Sequence, residues 1–336
     1  MIHPHNISDK RIGISVLNWG LGHVTRSIPI ITALNEKNNQ LFIFCNESQK
    51  LIFSQYINDV HYVYHPGYPF KFKGKGRFKM DLLRSSRGLY ANLKTEKKLV
   101  QGYVKKYSLD MLISDQRYAF FSNKIPSMFI THQLQFPLRG IFKIGNLMNR
   151  YQVSKFSTIW IIDNEDHRNA GKLSQNKNYN NAIYIGCHSR FQIIKKQAEK
   201  EVRGLLVFNG PEVYSKLLLA TFTPQINSGE IEKIIGPESV QSLLLGKNIT
   251  TPFFANSDMS SVDQIFIKTS KIFGFFGYTT LMDCLELGCA YHLIPTPGQD
   301  EQIYLGKHLS VNSGVTLISQ KSLNFVNFKS AVIDSY

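Results

Sequence analysis

The stretch FGYTTLMDCLELGCAYHLIPTPGQDEQIYL, residues 276–305, predicts a turn, a helix, a buried strand, a Pro-Gly loop and a second helix in succession. The apolar residues of the predicted helix face recur at helical spacing: Leu281, Cys284, Leu285 and Leu287. Gly288 follows, at the position where a glycine commonly ends a helix. The apolar run Tyr291–Ile294 is typical of a covered parallel strand. Loops that follow such strands bind ligands in open parallel sheets.

The start of the predicted helix carries residues suited to a nucleoside diphosphate. Gly277 permits close approach of a ligand to the backbone, and Thr279 and Thr280 lie at the helix N-terminus. Free N–H groups and the helix macrodipole favour a phosphate there. Asp283, one turn later, is within reach of a pair of ribose hydroxyls. The structural alternative is a capping box formed by Thr280 and Asp283.

Four polar side chains follow the loop at residues 295–298: Gln299, Asp300, Glu301 and Gln302. Amide and carboxylate groups hydrogen-bond well to sugar hydroxyls. Because a hydrophobic core does not require such side chains around a Pro-Gly turn, the loop favours a ligand site over the capping box. The sequence therefore predicts a nucleotide-sugar site over this stretch.

A second glycine turn lies near the N-terminus. The strand predicted at Ile12–Leu17 is followed by Gly20 and Gly22 and then by a helix over Val24–Leu34, which is how a doubly wound α/β domain opens. The turn is not a dinucleotide fingerprint, because Thr25 stands where the third glycine would be. The chain also lacks a GxxxxGK[ST] phosphate loop.

His23 follows these glycines directly, at a strand-to-helix turn. A neutral imidazole in that position can act as a general base. The structural alternative is a helix-capping or surface histidine.

Asp115 follows the strand predicted at Leu109–Ile113, and His132 follows the strand predicted at Met128–Thr131. Both positions are at the ligand-binding edge of a parallel sheet. Asp115 is a candidate to orient His23 or to act as the base itself. The structural alternative is an aspartate that holds its loop or pairs with Arg117.

The two glycine-containing stretches resemble motifs of one family. The pattern Gly20-x-Gly22-His23-x-x-Arg26 and the stretch 277–305 resemble the acceptor-side and donor-side motifs of the GT-B glycosyltransferases. The resemblance is greatest to the family-28, MurG-like N-acetylglucosaminyltransferases and their bacterial relatives. It implies an α/β fold with two Rossmann-like domains facing a cleft.

The resemblance also implies a domain plan. Residues 1–165 would bind the acceptor through Gly20, Gly22, Arg26 and His132, and residues 166–203 would be a linker. Residues 204–320 would bind the nucleotide sugar, and residues 321–336 would be a tail.

Matched on the donor motif, Asp283 corresponds to a ribose-binding carboxylate, and Thr279 and Thr280 to the phosphate-binding turn. Glu301 and Gln302 correspond to donor-sugar contacts, where the family more often has two glutamines. Asn209 and Gly210 correspond to a loop that approaches the diphosphate.

The 336-residue chain carries a formal charge of +15, which indicates an anionic partner. Basic residues are dense in one region: Lys71, Lys73, Lys75, Arg77, Lys79, Arg84, Arg87, Lys94, Lys97, Lys98, Lys105 and Lys106. Only Asp81 and Glu96 oppose them. We expect a loop followed by a long helix from about Met80.

This basic segment suits an anionic membrane surface or a polyprenyl-pyrophosphate-linked acceptor. The alternative is a solvated basic face. A second basic amphipathic segment is predicted over residues 136–151, with Arg139, Lys143 and Arg150. Nucleic acid is disfavoured as a partner, because the chain has no RNP, KH or zinc motif.

Other features narrow the class of protein. The chain has no apolar run of membrane-spanning length, no secretory signal at its start and no CxxC pair among its four cysteines. We therefore expect a cytoplasmic protein, peripheral on the inner face of the cell membrane. The polar run at residues 163–167 is expected to be a loop without a metal ion. No metal or other cofactor is expected, since no DxD-like acidic pair follows a strand.

The function implied is inverting transfer of a sugar from a UDP-sugar, with UDP-GlcNAc as the candidate donor, to a hydroxyl of a lipid-linked or cell-envelope glycan acceptor. Two alternatives stay open at this point. One is a nucleotide-sugar epimerase of the same fold. The other is a non-catalytic nucleotide-sugar-binding protein with a basic face for membrane or RNA.

Overall fold

The structure, a computed structural model, describes residues 2–70, 72–137, 144–194, 198–310 and 315–317. Its contacts divide the chain into two compact units. The first unit comprises Met1–Phe70 and Leu83–Arg190, and the second comprises Lys71–Leu82 and Phe191–Tyr336. A short segment of the N-terminal half of the chain thus belongs to the second unit.

The first unit is built on seven strands and four helices among the described residues. In chain order these are β1 (Arg11–Val16), α1 (Gly22–Asn35), β2 (Gln40–Cys45), α2 (Glu47–Phe53), β3 (His61–Tyr64), α3 (Phe78–Lys106, whose first turn lies in the second unit), β4 (Met111–Asp115), β5 (Ser127–Thr131), α4 (Ile144–Val153), β6 (Thr158–Ile161) and β7 (Ala182–Tyr184).

All pairings of this sheet are parallel, in the order β3-β2-β1-β4-β5-β6-β7. Its central strands are buried on both faces, which explains their continuous apolar runs. The strand order reverses between β1 and β4, where Val16 lies beside Asp115. In doubly wound folds this switch point is where ligands bind.

The second unit repeats the plan among its described residues. Its elements are β8 (Val202–Val207), α5 (Ser215–Asn227), β9 (Lys233–Gly236), α6 (Glu238–Leu245), β10 (Phe253–Ala255), α7 (Met259–Ile267), β11 (Thr269–Phe275), α8 (Tyr278–Leu287), β12 (Ala290–Ile294), α9 (Asp300–Ser310) and β13 (Val315–Leu317).

The second sheet is also parallel, in the order β10-β9-β8-β11-β12-β13. Its switch point lies between β8 and β11, where Val207 lies beside Gly274. A core of Leu, Ile and Phe side chains, including Phe222 and Phe273, packs α5 against this sheet. The α/β class and the two Rossmann-like units predicted from sequence are confirmed.

The stretch 276–305 has the succession of elements that was predicted. Gly288 ends α8 in the left-handed conformation, with φ of 64°, as a glycine permits. The predicted apolar face of α8 is correct for Leu281 and Cys284, which are buried. It is wrong for Leu285, whose exposure is 40 %, because the helix turns that position away from the sheet.

The predicted linker at residues 166–203 contains β7, which pairs with β6 as the edge strand of the first sheet. Asp163 organises the loop between β6 and β7. The Asp163 carboxylate accepts hydrogen bonds from the backbone of Asn169 and Ala170 and from the Ser174 hydroxyl. The polar run after β6 is thus a loop closed by its own side chains.

The basic region forms the predicted long helix, α3. Glu96, a residue of α3, is not on a solvated face, however. Its side chain is buried in a cluster of polar side chains. Within the second basic segment, residues 144–151 lie in α4, whose exposed side chains include Ile144, Leu147, Met148 and Tyr151. Arg139 and Lys143 of that segment lie outside the described residues, as does the predicted tail at residues 321–336.

Candidate functional site

Four predicted residues meet at the switch point of the first sheet. His23 and Arg26 lie in the first two turns of α1, Asp115 is the last residue of β4, and His132 follows β5. They approach one another because parallel strands end at one edge of a sheet and α1 begins at that edge. We call these four residues the Arg26 cluster.

The Arg26 guanidinium is the centre of the cluster. Its Nε donates to Asp115 Oδ2 at 2.8 Å and its second terminal nitrogen donates to Asp115 Oδ1, which makes a bidentate ion pair. The Ser27 hydroxyl lies 3.4 Å from the same carboxylate. Both charged side chains are buried, so the pair is held in a medium of low dielectric.

The two histidines lie on either side of Arg26. One terminal guanidinium nitrogen is 2.8 Å from His23 Nδ1, and the other is 3.1 Å from His132 Nδ1. His23 Nδ1 is also 3.2 Å from Asp115 Oδ2. His23 is 15 % exposed, more than Arg26 or Asp115, so it is the member that solvent reaches most.

The electrostatics of the cluster separate its two candidate bases. Burial alone raises the pKa of Asp115, but the charges of Arg26 and His23 and their hydrogen bonds outweigh it and hold that pKa well below its usual range. Burial and the charge of Arg26 lower the pKa of His23, against the opposing effect of Asp115. Asp115 is thus a buried anion, whereas His23 is a neutral imidazole near neutral pH.

The pairing of Asp115 with Arg117 that sequence left open is wrong. Arg117 instead donates through Nε to Glu96 Oε1 at 2.7 Å, and Glu96 also contacts His65 at 3.0 Å and the Tyr68 hydroxyl at 2.7 Å. Glu96 and its three partners thus form a second buried ionic cluster in the first unit. Sequence reasoning missed it; the only signal was an isolated acid in a basic helix.

The glycines of the first turn have distinct roles. Gly20 has a φ of 97°, a conformation that residues with a side chain avoid, and Gly22 is the first residue of α1. The turn thereby brings His23 to the sheet edge.

The second candidate region is the start of α8, at the switch point of the second sheet. Gly277 is the N-cap and makes no side-chain cap, and the first turn carries no acidic residue. The capping box of Thr280 with Asp283 is therefore not formed. Thr279 is buried, and the Thr280 hydroxyl lies 3.1 Å from the Asn209 side-chain amide.

Asn209 holds this region together. Its side-chain Nδ2 donates to Phe275 O at 2.7 Å, and its Oδ1 accepts from Phe275 N at 2.9 Å. Gly210 lies against the Phe275 ring, where a side chain would collide. These contacts join the loop after β8 to the end of β11, which gives Asn209 and Gly210 a structural role.

Asp283 is 2 % exposed. Its charge contributes, after the larger effect of burial, to raising the pKa of Tyr291 and of Cys289. Both groups belong to β12 or directly precede it, so the buried carboxylate is close enough to β12 for its charge to act on them.

The loop at residues 295–302 uses part of its polar set internally. Gln302 Oε1 accepts from Thr296 N at 2.6 Å, and Asp300 Oδ2 pairs with Lys79 Nζ at 2.6 Å. Gln299 N donates to Thr296 O at 3.1 Å, which closes the turn at Gly298. Glu301 is half-buried. The expectation that these side chains have no structural use is wrong for Asp300 and Gln302.

Within the described ranges, no three His, Cys, Asp or Glu side chains are grouped as a metal site would require. None of the helices in those ranges combines the length and the apolar character needed to cross a bilayer.

Solved structures of glycosyltransferases resemble this chain over nearly its whole length. Spinosyn rhamnosyltransferase SpnG, complexed with thymidine diphosphate, is 12 % identical with a TM-score of 0.60, and the match covers 96 % of this chain and 91 % of that one. Streptomyces sp. SF2575 SsfS6, also with thymidine diphosphate, is 11 % identical with a TM-score of 0.58 and coverages of 97 % and 95 %.

MurG of Acinetobacter baumannii is 12 % identical, with a TM-score of 0.51 and coverages of 98 % and 91 %. No protein-family model matches the chain, and no curated protein matches it. The chain therefore has the GT-B fold of these glycosyltransferases, as its sequence motifs predicted.

Proposed function

We propose that this protein is a glycosyltransferase that moves a sugar from a nucleoside diphosphate sugar to an acceptor hydroxyl, with inversion at the anomeric carbon. The observation that carries the proposal is that each of two like-ordered sheets has its predicted site residues at its own switch point. The likeness to solved glycosyltransferases over both units supports it.

We assign donor binding to the second unit. The backbone N–H groups at the start of α8, with Gly277 and Thr280, would bind the diphosphate, and the absence of an acid from that turn favours an anion. Asp283 would bind the ribose hydroxyls after a local shift that exposes its carboxylate. We propose UDP as the nucleotide, and thymidine diphosphate in two similar structures makes the thymidine nucleotide the first comparison.

Proton transfer is assigned to the Arg26 cluster. Because Asp115 is buried, ionised and paired through both oxygens, it is a poor proton acceptor. His23 would take the acceptor proton on Nε2 in the tautomer that carries Nδ1–H toward Asp115; in that tautomer the 2.8 Å contact between Nδ1 and Arg26 is not a hydrogen bond, because both nitrogens are donors. The developing charge on the leaving diphosphate would be stabilised by the N-terminus of α8, with no metal ion in the proposed step.

For the acceptor we propose a glycan or lipid carrying a pyrophosphate, because the chain has a charge of +15 and a basic helix α3. We propose that the enzyme acts in the cytoplasm at the inner face of the membrane, in the synthesis of cell-envelope polysaccharide. Sedimentation with anionic and neutral vesicles tests that placement, since binding to both alike or to neither would contradict it.

Calorimetric titration with UDP, TDP, UDP-GlcNAc, UDP-glucose and GDP-mannose tests the donor assignment. We expect micromolar to millimolar binding of one uridine or thymidine nucleotide and weaker binding of GDP-mannose. A protein that binds none of these is not a transferase of this kind.

Product analysis separates the alternatives. Incubation with the bound nucleotide sugar alone should leave the sugar unchanged, because transfer requires an acceptor. An isomerised sugar would identify an epimerase, and binding without turnover with any lipid-linked or free glycan acceptor would identify a nucleotide-sugar-binding protein.

A further inference from the structure

The chain segment at residues 72–79 crosses the candidate donor edge of the second unit; we call it the basic strap. One end lies against the loop after β8. The Gly76 amide donates to the Tyr214 hydroxyl at 2.9 Å, and the position of a Cβ on Gly74 would be 3.3 Å from Val213 Cβ. Tyr214 is itself buried, so the strap is anchored on the core of the unit.

The strap lies against the loop after β12 as well, through Gly76 again and, toward its other end, through Lys79. Gly298 has a φ of 81°, and a side chain there would collide with the Gly76 carbonyl. Lys79 Nζ forms an ion pair with Asp300 Oδ2 at 2.6 Å. Gly298 thus matches the strap in shape, and Asp300 matches it in charge.

The strand order of the second sheet indicates where the middle of the strap lies relative to β11. Because β11 lies between β8 and β12, a segment that contacts the loops after both outer strands passes the carboxyl end of β11. That is the point at which Gly277 begins α8.

All charged side chains of the strap itself are cationic. Lys73, Lys75 and Arg77 are exposed, and the first turn of α8 has no acid. The nearest acid on the same segment, Asp81, is buried and accepts a hydrogen bond from Lys73 N. Cationic side chains beside the positive end of a helix repel it unless an anion lies between them.

A second observation indicates a ligand at the same edge. Thr296, in the loop that contacts the strap, is 1 % exposed, and its hydroxyl has no hydrogen-bond partner. A buried hydroxyl without a partner costs free energy that a bound polar group can recover.

We propose that the basic strap is part of the donor site, with Lys75 and Arg77 binding the diphosphate and the Lys79–Asp300 pair fastening the strap. This deepens the proposed function and rests on it. It also gives this part of the basic region a role in donor binding, where sequence had indicated a membrane surface or a lipid-linked acceptor.

The first test removes the charges. K75Q/R77Q should weaken UDP binding at least about tenfold by calorimetry, since two charge-assisted contacts are lost. Uridine, which has no phosphate, should bind the variant within about twofold of wild type. The matched control K94Q/K98Q removes two exposed charges of α3 in the first unit and should leave UDP affinity unchanged.

The second test concerns the fastening. K79D and D300K should each weaken UDP binding, and the double variant K79D/D300K should recover most of the loss, because the ion pair is restored in reverse. UDP is the probe here because it lacks the donor sugar, so any contact of Asp300 with that sugar does not affect the measured affinity.

The outcomes are separable. Wild-type binding of UDP with equal binding by K75Q/R77Q overturns the inference and leaves the proposed function intact. Tighter binding by that variant overturns it as well, since the strap would then obstruct the site. Absence of UDP and TDP binding by wild type removes the proposed function and this inference together. Far-UV circular dichroism of each variant confirms that the fold is retained.

Discussion

The two switch points of this molecule are built in opposite ways. In the first unit, the site is a set of buried titratable side chains around Arg26, and most of their hydrogen-bonding groups are used by one another. In the second unit, the first turn of α8 offers backbone N–H groups and has no acid, and Asp283, one turn later, is buried. Under the proposed function, the same strand order would serve proton transfer at one edge and anion binding at the other.

The difference follows from where each unit places its charges. A buried ion pair holds a neighbouring histidine in one orientation and shifts its pKa. A general base requires both, a fixed position and a suitable pKa. A helix N-terminus without acids binds an anion through fixed dipoles, which needs no titratable group. Four predictions test this division, from the largest expected effect to the smallest.

The largest effect is expected at His23. H23A should lower kcat/KM for sugar transfer by about 100- to 10,000-fold, the range for loss of a general base. UDP affinity should stay within about twofold, because the residue belongs to the first unit. Equal loss of UDP binding, or transfer at the wild-type rate, would contradict the division.

The next effect concerns the buried ion pair. D115N leaves Arg26 as a buried cation without its counterion, which should destabilise the protein by about 3–5 kcal/mol in urea unfolding. The matched control is E96Q, which breaks the other buried cluster of the first unit at Arg117 and His65. Both variants should lose stability, and of those that remain folded only D115N should also lose transfer activity.

A smaller effect is expected at Asp283. D283N should weaken UDP binding about tenfold and leave binding of inorganic pyrophosphate unchanged, since a ribose contact is lost while the N-terminus of α8 is kept. If Asp283 is purely structural, UDP affinity will not change and unfolding stability alone will fall. Thermal unfolding measured beside calorimetry distinguishes these results.

The smallest effect is on the pH dependence. Burial and Arg26 lower the pKa of His23 below its ordinary value of 6.5, and the base must be neutral to accept a proton. The value of kcat/KM should therefore be constant near neutral pH and fall only as the pH drops through a midpoint below 6.5. A midpoint at or above 6.5 would show that Asp115, not Arg26, dominates the environment of His23.

Local patterns predicted much of the fold correctly. The strand predicted at Met128–Thr131 and the helix end at Gly288 follow from short-range rules on apolar runs and glycine. The prediction for Leu285 was wrong because helical spacing alone does not define how α8 is rotated against its sheet.

The candidate sites were predicted less completely. His23, Arg26, Asp115 and His132 were each selected, but only as neighbours of strand ends. That Arg26 pairs with Asp115, and Arg117 with Glu96, depends on side chains separated by up to 89 residues. No local pattern distinguishes one arginine from the other.

The sequence by itself determined the order of strands and helices, the two glycine turns and the surplus of positive charge, because these depend on neighbouring residues and composition. Only the tertiary structure decided which charges are buried together and which segment lies against the loops after β8 and β12. The strap at residues 72–79 shows why: its contacts with Tyr214 and Asp300 span 138 and 221 residues. Such contacts form only when the sheet brings the ends of β8 and β12 to one edge.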